Sequence, residues 1–107
     1  MKMYTTPEQT AKLIELGFEK PSPNFYQNGA TWIQCEGNYS IGELIEMLPE
    51  HIFPDGRCMD LYIYPCQYLW VVKYSALLYG NYYHFCSKEL TDALYEMVVK
   101  LKEEGLI

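Results

Sequence analysis

The chain has 107 residues, of which 50% are hydrophobic and 21% are charged, and its formal net charge is −6. This length fits one ordinary domain, and the composition is typical of a folded chain rather than a disordered one. Attraction to nucleic acid or to an anionic membrane surface needs clustered Lys and Arg, whereas the eight basic residues here are scattered, which argues against both as partners.

The sequence also gives expectations for membrane insertion, compartment and cysteine state. Apolar runs such as 69–72 are far shorter than the ~20 residues of a membrane helix, and residues 1–7 lack the apolar core of a secretory signal. We therefore expect a cytoplasmic protein. Free cysteines in such a compartment are most often buried, and we predict reduced, mostly buried thiols. The four cysteines are Cys35, Cys58, Cys66 and Cys86.

Two short helices are indicated in the first half of the chain. Thr6, Pro7 and Gln9 form a helix start with a capping box, and Gly17 followed by Phe18 predicts a Schellman ending. The second helix begins after another capping box, which Ser40 forms with Glu43, and ends near residue 48, before a proline.

Strand signals fill the regions between the helices. Asn28-Gly29 between two strand-like segments predicts a hairpin. Later segments, 59–64, 69 to about 78, and 82–86, alternate or are rich in aromatic and β-branched residues, and Gly80-Asn81 suits a tight turn before the last of them. These segments predict a three-stranded antiparallel meander.

A third helix is predicted after the meander. Ser87 is in a capping position, and Gly105 marks the end of the helix. Between them the apolar residues recur at helical spacing, so one side of this helix needs a sheet to pack against. The stripe consists of Leu90, Leu94, Met97, Val98 and Leu101.

The order of these elements predicts one α+β domain over residues 1–107. Its antiparallel sheet contains the hairpin and the meander, and three helices pack on one face. Strict alternation assigns the helix side to Leu61, Ile63, Trp70, Val72, Tyr74, Tyr83 and Phe85. The opposite side receives Tyr62, Tyr64, Val71, Lys73, Ser75, Tyr82 and His84.

Two helical segments of the sequence, 39–49 and 88–102, resemble stretches in small uncharacterised proteins of prophages and mobile elements in gut anaerobic bacteria. Together they cover about a quarter of the chain, and both are amphipathic helices. The resemblance implies the context of a mobile-element accessory protein. It carries no activity and no functional residue over to this chain.

The main functional prediction comes from tyrosine, which supplies eleven of the 107 residues. Rings on the sheet face away from the helices would form an apolar patch that needs covering. We therefore predict a non-enzymatic protein that binds itself, as a homo-oligomer, or another protein through this face. The candidate binding residues are Tyr62, Tyr64, Lys73, Tyr82 and His84.

Two alternatives remain open. One is a small-molecule-binding protein or enzyme with a pocket between sheet and helices, lined by Trp32 or Trp70. The common nucleotide-binding, hydrolase and metalloprotease motifs do not occur in the sequence, so we predict no catalytic residue and no cofactor.

The other alternative is a zinc-stabilised domain. His84 and Cys86 could supply two ligands if Cys58 or Cys66 came near. A second closely spaced ligand pair is missing, so we predict no metal. We also expect His84 and Cys86, two residues apart on a strand, to lie too far apart for direct proton transfer unless the strand bulges.

Overall fold

The computed structural model describes residues 2–21, 24–35, 37–76 and 80–107, and at 24–28, 31–35 and 81 it describes the backbone alone. The elements follow one another as α1 (Pro7–Glu15), β1 (Asn24–Asn28), β2 (Thr31–Cys35), α2 (Ile41–Met47), β3 (His51–Ile52), β4 (Met59–Cys66), β5 (Leu69–Ala76), β6 (Gly80–Ser87) and α3 (Leu90–Glu103). The helices and the antiparallel sheet confirm the α+β class.

Both short helices begin at the predicted capping boxes. Thr6 Oγ1 accepts the backbone N–H of Gln9 at 3.1 Å, and the Gln9 side chain accepts the N–H of Thr6 at 3.0 Å. Ser40 and Glu43 make the same reciprocal pair at the start of α2. Each box satisfies backbone donors that the first helical turn leaves without partners, which fixes where these short helices begin.

Glycines end α1 and α3 in the predicted way. Gly17 has φ 105° and Gly105 has φ 72°, a left-handed conformation that costs a glycine little. The next residue then donates its N–H to the carbonyl five positions earlier, at 3.2 Å from Phe18 and at 2.9 Å from Leu106. Both endings are Schellman motifs.

The start of α3 differs from the prediction. Ser87 is the last residue of β6, and Glu89 occupies the cap position without a side-chain cap bond. The Ser87 hydroxyl accepts the N–H of Glu89 at 3.2 Å. The prediction of a Ser87 cap is therefore wrong by two residues, because the last strand extends further along the chain than its alternation suggested.

The main sheet has four antiparallel strands in the order β3-β4-β5-β6, while β1 and β2 form a separate two-stranded sheet. Hairpin and meander were expected to share one sheet, so this detail is corrected. The hairpin itself is confirmed, with Asn28 paired to Thr31 and Gly29 at φ 66° in the turn between them. The fourth strand of the main sheet is β3, which was not predicted.

The connection from β5 to β6 also differs from the prediction. Gly80 pairs with Ala76 and is already part of β6, so the tight turn does not lie at Gly80-Asn81. The connecting residues 77–79, including the predicted end of β5 near residue 78, are outside the described residues.

The core lies between the main sheet and the helices. The predicted stripe of α3 is buried, and it packs against Val72 and Tyr74 of β5 together with Leu13 of α1 and Leu44 of α2. The remaining residues assigned to the helix side pack at the edge of this core. They are Leu61, Ile63, Trp70, Tyr83 and Phe85. Among the described residues, no helix has the length and apolar character needed to cross a membrane.

Candidate functional site

The sheet face turned away from the core carries most of the predicted binding residues. Tyr62 on β4, Lys73 on β5 and His84 on β6 lie side by side in the register. We call this surface the open face. From the register and the alternation of side chains, it comprises Asp60, Tyr62, Tyr64, Cys66, Leu69, Val71, Lys73, Ser75, His84 and Cys86.

Two half-exposed tyrosine rings are central to the open face. Tyr62 is 45% and Tyr64 is 36% exposed, and the Nζ of Lys73 lies 5.8 Å and 5.4 Å from the centroids of their rings. These distances are in the range of cation–π contacts. Val71, in the row with Tyr64, is only 4% exposed although it is not part of the main core. The open face therefore has a small apolar cluster of its own.

Tyr82 does not join this cluster. The pairing of β5 with β6 shifts after Tyr74, which is opposite Tyr83, while Ser75 is opposite residue 81. Tyr82 is thus the extra residue of a β-bulge, and its ring lies edge-on to that of Tyr83, 4.4 Å between centroids. In a regular strand the side chains of Tyr82 and Tyr83 would lie on opposite faces of the sheet, but their rings are in contact. The assignment of Tyr82 to the face of Tyr62 is therefore wrong.

Tyr68, at the β4–β5 turn, extends the open face beyond Leu69, and neither residue was among the predicted binding residues. Gln67 adopts φ 56° in the two-residue turn between Cys66 and Leu69. Beside it Tyr68 is 91% exposed, and Leu69 is also exposed. A non-glycine residue in this conformation is uncommon, and the turn holds an aromatic ring almost entirely in solvent.

The cysteine side chains differ from the prediction of buried thiols. Cys58, Cys66 and Cys86 are all free and exposed, whereas the side chain of Cys35 lies outside the described residues. Cys86 Sγ lies 3.4 Å from His84 Nε2. The expectation that these two groups lie too far apart for proton transfer is therefore wrong, because the His84 ring reaches along the strand with its far nitrogen.

A second group of polar side chains converges where β3 meets β4. His51 and Asp60 are paired across the two strands, and His51 Nδ1 lies 2.7 Å from Asp60 Oδ1. Cys58, from the loop just before β4, brings its Sγ within 3.9 Å of the same nitrogen and 3.8 Å of the same oxygen. Three different ligand types thus meet at one point on the protein surface.

The loop between β3 and β4 makes this convergence possible. Asp55 and Gly56 adopt φ 54° and 77° within a short 3-10 turn, so the chain reverses and returns Cys58 to the side of His51. Sequence spacing gave no signal for this cluster, since only the left-handed loop brings residues seven positions apart together.

The electrostatics of the cluster disfavour an activated cysteine nucleophile. Desolvation raises the pKa of the Cys58 thiol, and the negative charge of Asp60 with its hydrogen bond raises it further. A nucleophilic cysteine instead needs a lowered pKa, from a positive neighbour or a helix N-terminus. Without a bound cation, Cys58 is therefore protonated at neutral pH.

The described cavities do not lie between the sheet and the helices. One of about 400 Å³ is lined by α1 residues such as Thr10 and Ile14 and by the chain around Asn38. Another, of about 360 Å³, lies against α2 beside Tyr39 and Glu43. Trp70 lines neither of these two cavities, and the Trp32 side chain is outside the described residues.

Comparisons with family models, with curated proteins and with solved structures find no match for the chain. Among the described residues, the two surface features that could serve a function are the open face and the cluster of His51, Cys58 and Asp60.

Proposed function

We propose that this chain is a non-enzymatic, self-associating protein whose open face binds the open face of a second copy. The observation that carries the proposal is the pair of half-exposed rings, Tyr62 and Tyr64, on a sheet face opposite the helices. Aromatic side chains supply much of the energy of protein interfaces when a partner buries them. Tyr68 at the edge of the face adds a third ring.

The dimensions of the open face favour a weak, reversible dimer. The open face is formed by β4, β5 and β6, which have eight residues each. At about 4.8 Å between strands and about 3.4 Å per residue, they span about 14 Å by 27 Å, or about 400 Å² per copy. Two copies would bury about 800 Å² of this flat area, to which the side chains add further surface. A buried area of this size is typical of transient contacts rather than permanent ones.

Charge favours a second copy as the occupant. The chain carries a net charge of −6, so most surfaces of two copies repel each other. The open face has one acidic residue, Asp60, and one basic residue, Lys73, and these charges cancel. Two open faces can therefore approach without the repulsion that acidic surfaces suffer, and each can offer tyrosine rings to the lysine of the other.

The resemblance of segments 39–49 and 88–102 to mobile-element proteins adds a context for this role. A small accessory protein that assembles with itself needs a neutral apolar face, and it needs neither a catalytic group nor a deep pocket. This part of the proposal rests on the resemblance alone.

The test is the double replacement Tyr62→Ser and Tyr64→Ser. Sedimentation equilibrium over a range of protein concentrations should show a rising mass for the wild type, while the double variant stays monomeric with unchanged circular dichroism. Tyr4→Ser is the matched control, because Tyr4 is 45% exposed like Tyr62 but lies outside the open face, and this variant should associate as the wild type does.

Two outcomes would contradict the proposal. A wild type that is monomeric at about 1 mM would have a contact free energy weaker than about 4 kcal/mol, too little for a specific dimer. Loss of folding in the double variant would show that the two rings stabilise the monomer rather than a contact between copies.

A further inference from the structure

The convergence of His51, Cys58 and Asp60 points to a metal site. We propose that these three side chains bind Zn²⁺ through His51 Nδ1, Cys58 Sγ and Asp60 Oδ1. This inference departs from the sequence prediction of no metal. It shares Asp60 with the open face, but it is drawn from different contacts than the proposed self-association.

The donor set matches the chemistry of zinc. Zinc in proteins takes imidazole nitrogen, thiolate sulfur and carboxylate oxygen as ligands, almost always in a tetrahedral arrangement. Magnesium and calcium select oxygen ligands instead, so a set that contains Cys58 and His51 favours a transition metal. Three protein ligands leave the fourth tetrahedral position to water or to another small ligand.

The distances are close to those that a tetrahedral zinc requires. Ordinary zinc–ligand bond lengths imply about 3.6 Å between sulfur and either of the other two ligand atoms, and about 3.4 Å between nitrogen and oxygen. The sulfur lies 3.9 Å from His51 Nδ1 and 3.8 Å from Asp60 Oδ1. The nitrogen and oxygen are 2.7 Å apart, so their hydrogen bond must open by about 0.7 Å to admit the ion.

The backbone already holds the three ligands near one another. His51 and Asp60 are direct partners in the β3–β4 ladder, and the 3-10 turn after β3 returns Cys58 to them. Binding therefore needs side-chain rotation rather than a new fold, which lowers its cost. All three side chains reach solvent, so the ion has an open path to the site.

Zinc would also remove the repulsion between a Cys58 thiolate and the Asp60 carboxylate. The Cys58 thiol loses its proton to solvent and binds as a thiolate. The Nδ1 proton that His51 donates to Asp60 moves through solvent to Nε2, which frees the lone pair of Nδ1 for the ion. The dication then compensates two negative ligands, the thiolate and the Asp60 carboxylate, which would repel each other without it.

The chain offers a matched control for the test. Cys86 is also exposed and also lies beside a histidine, with 3.4 Å between its Sγ and His84 Nε2. The structure brings no carboxylate into a three-ligand group with this pair among the described residues. Cys86→Ser therefore removes an equivalent thiol without touching the proposed site.

The experiment is titration of the purified, reduced full chain with Co²⁺, followed by competition with Zn²⁺. Wild type and Cys86→Ser should bind one Co²⁺ per chain, with the intense near-ultraviolet band of a cobalt–thiolate bond, and Zn²⁺ should bleach that band. In Cys58→Ser the band should be absent. In His51→Ala the affinity should fall by more than about tenfold, because even groups that merely support a ligand contribute that much.

Thermal unfolding of the metal-free proteins checks that Cys58→Ser and His51→Ala remain folded. We expect both to be folded, because Cys58 and His51 are exposed. A wild type without a stoichiometric cobalt–thiolate band overturns the proposal. So does a band that survives in Cys58→Ser and disappears in Cys86→Ser, since that result would place the metal at the His84 pair.

Discussion

At the scale of single residues, Tyr74 combines a fully buried ring with a hydroxyl that has one defined partner. Its side chain has 0% exposure, and the hydroxyl donates to the backbone carbonyl of Pro49 at 2.6 Å. Burial raises the pKa of Tyr74 well above 10, and burial together with the neighbouring Tyr82 raises the pKa of Tyr83 to about 12. The folded chain thus holds these phenolic protons more tightly than the unfolded chain does.

This difference predicts the alkaline limit of stability. Unfolded tyrosines ionise near pH 10, so the free energy of unfolding should be at its full value below about pH 10 and fall as the pH rises toward 12. In Tyr74→Phe the free energy of unfolding, measured with urea at several pH values, should decrease less steeply above pH 10. At pH 7 the variant should be less stable than the wild type by about 0.5–1.5 kcal/mol, because it lacks the hydrogen bond to Pro49. The control is Tyr68→Phe at the exposed turn, in which the free energy of unfolding should depend on pH as it does in the wild type. If both variants changed the pH dependence equally, burial of Tyr74 would not be its cause.

Several residue positions could not be predicted because tertiary structure sets them. The bulge that turns Tyr82 toward Tyr83 adds one residue to β6, and the Gly80-Asn81 signal directly before it in the sequence predicts a turn rather than a bulge. Cys58 meets His51 only because Asp55 and Gly56 reverse the chain. By contrast, simple alternation placed Tyr62, Tyr64, Lys73 and His84 on one face as the pairing of β4, β5 and β6 has them.

At the scale of elements, the helices were the most predictable part of the fold. Capping boxes and Schellman glycines involve neighbouring residues only, so the sequence contains the complete signal for them. Strand β3 has two residues and forms because residues 59–60 pair with it, which no local pattern reveals. The separation of the hairpin from the main sheet is likewise a matter of tertiary packing.

Helix α3 is the element on which the core depends most. Leu94 has 0% exposure and lies in the middle of the buried stripe. Leu94→Ala should therefore lower the free energy of unfolding by about 2–5 kcal/mol, the usual cost of truncating a buried leucine. Chemical unfolding measures this loss. Leu69→Ala on the open face is the matched control, because Leu69 is exposed, and a similar loss in the two variants would contradict the packing of α3 on the sheet.

At the scale of the whole molecule, an acidic chain has a neutral sheet face with an apolar cluster at its centre. In the proposed self-association the two properties would oppose each other, since the net charge of −6 would separate the copies while contact between the open faces would hold them together. Electrostatic repulsion acts over about 30 Å at 0.01 M salt and about 10 Å at 0.1 M. Apolar contact acts only at the interface, so salt should separate the two effects.

We therefore predict that the proposed dimer tightens as the salt concentration rises, because screening removes repulsion between copies and leaves the contact of the tyrosine rings. Sedimentation equilibrium at low and high salt measures the change. Lys73→Glu and Lys88→Glu provide a matched pair: each changes the charge by two units, from −6 to −8, but Lys73 lies over the rings of the open face while Lys88 is exposed between β6 and α3.

Both variants should weaken association at low salt. At high salt Lys88→Glu should recover wild-type association, because its added charge acts only at a distance. Lys73→Glu should stay weaker, since it places a carboxylate between the rings and removes the cation that contacts them. Equal behaviour of the two variants at every salt concentration would mean that net charge alone governs the association, and the open face would then not be the surface through which two copies meet.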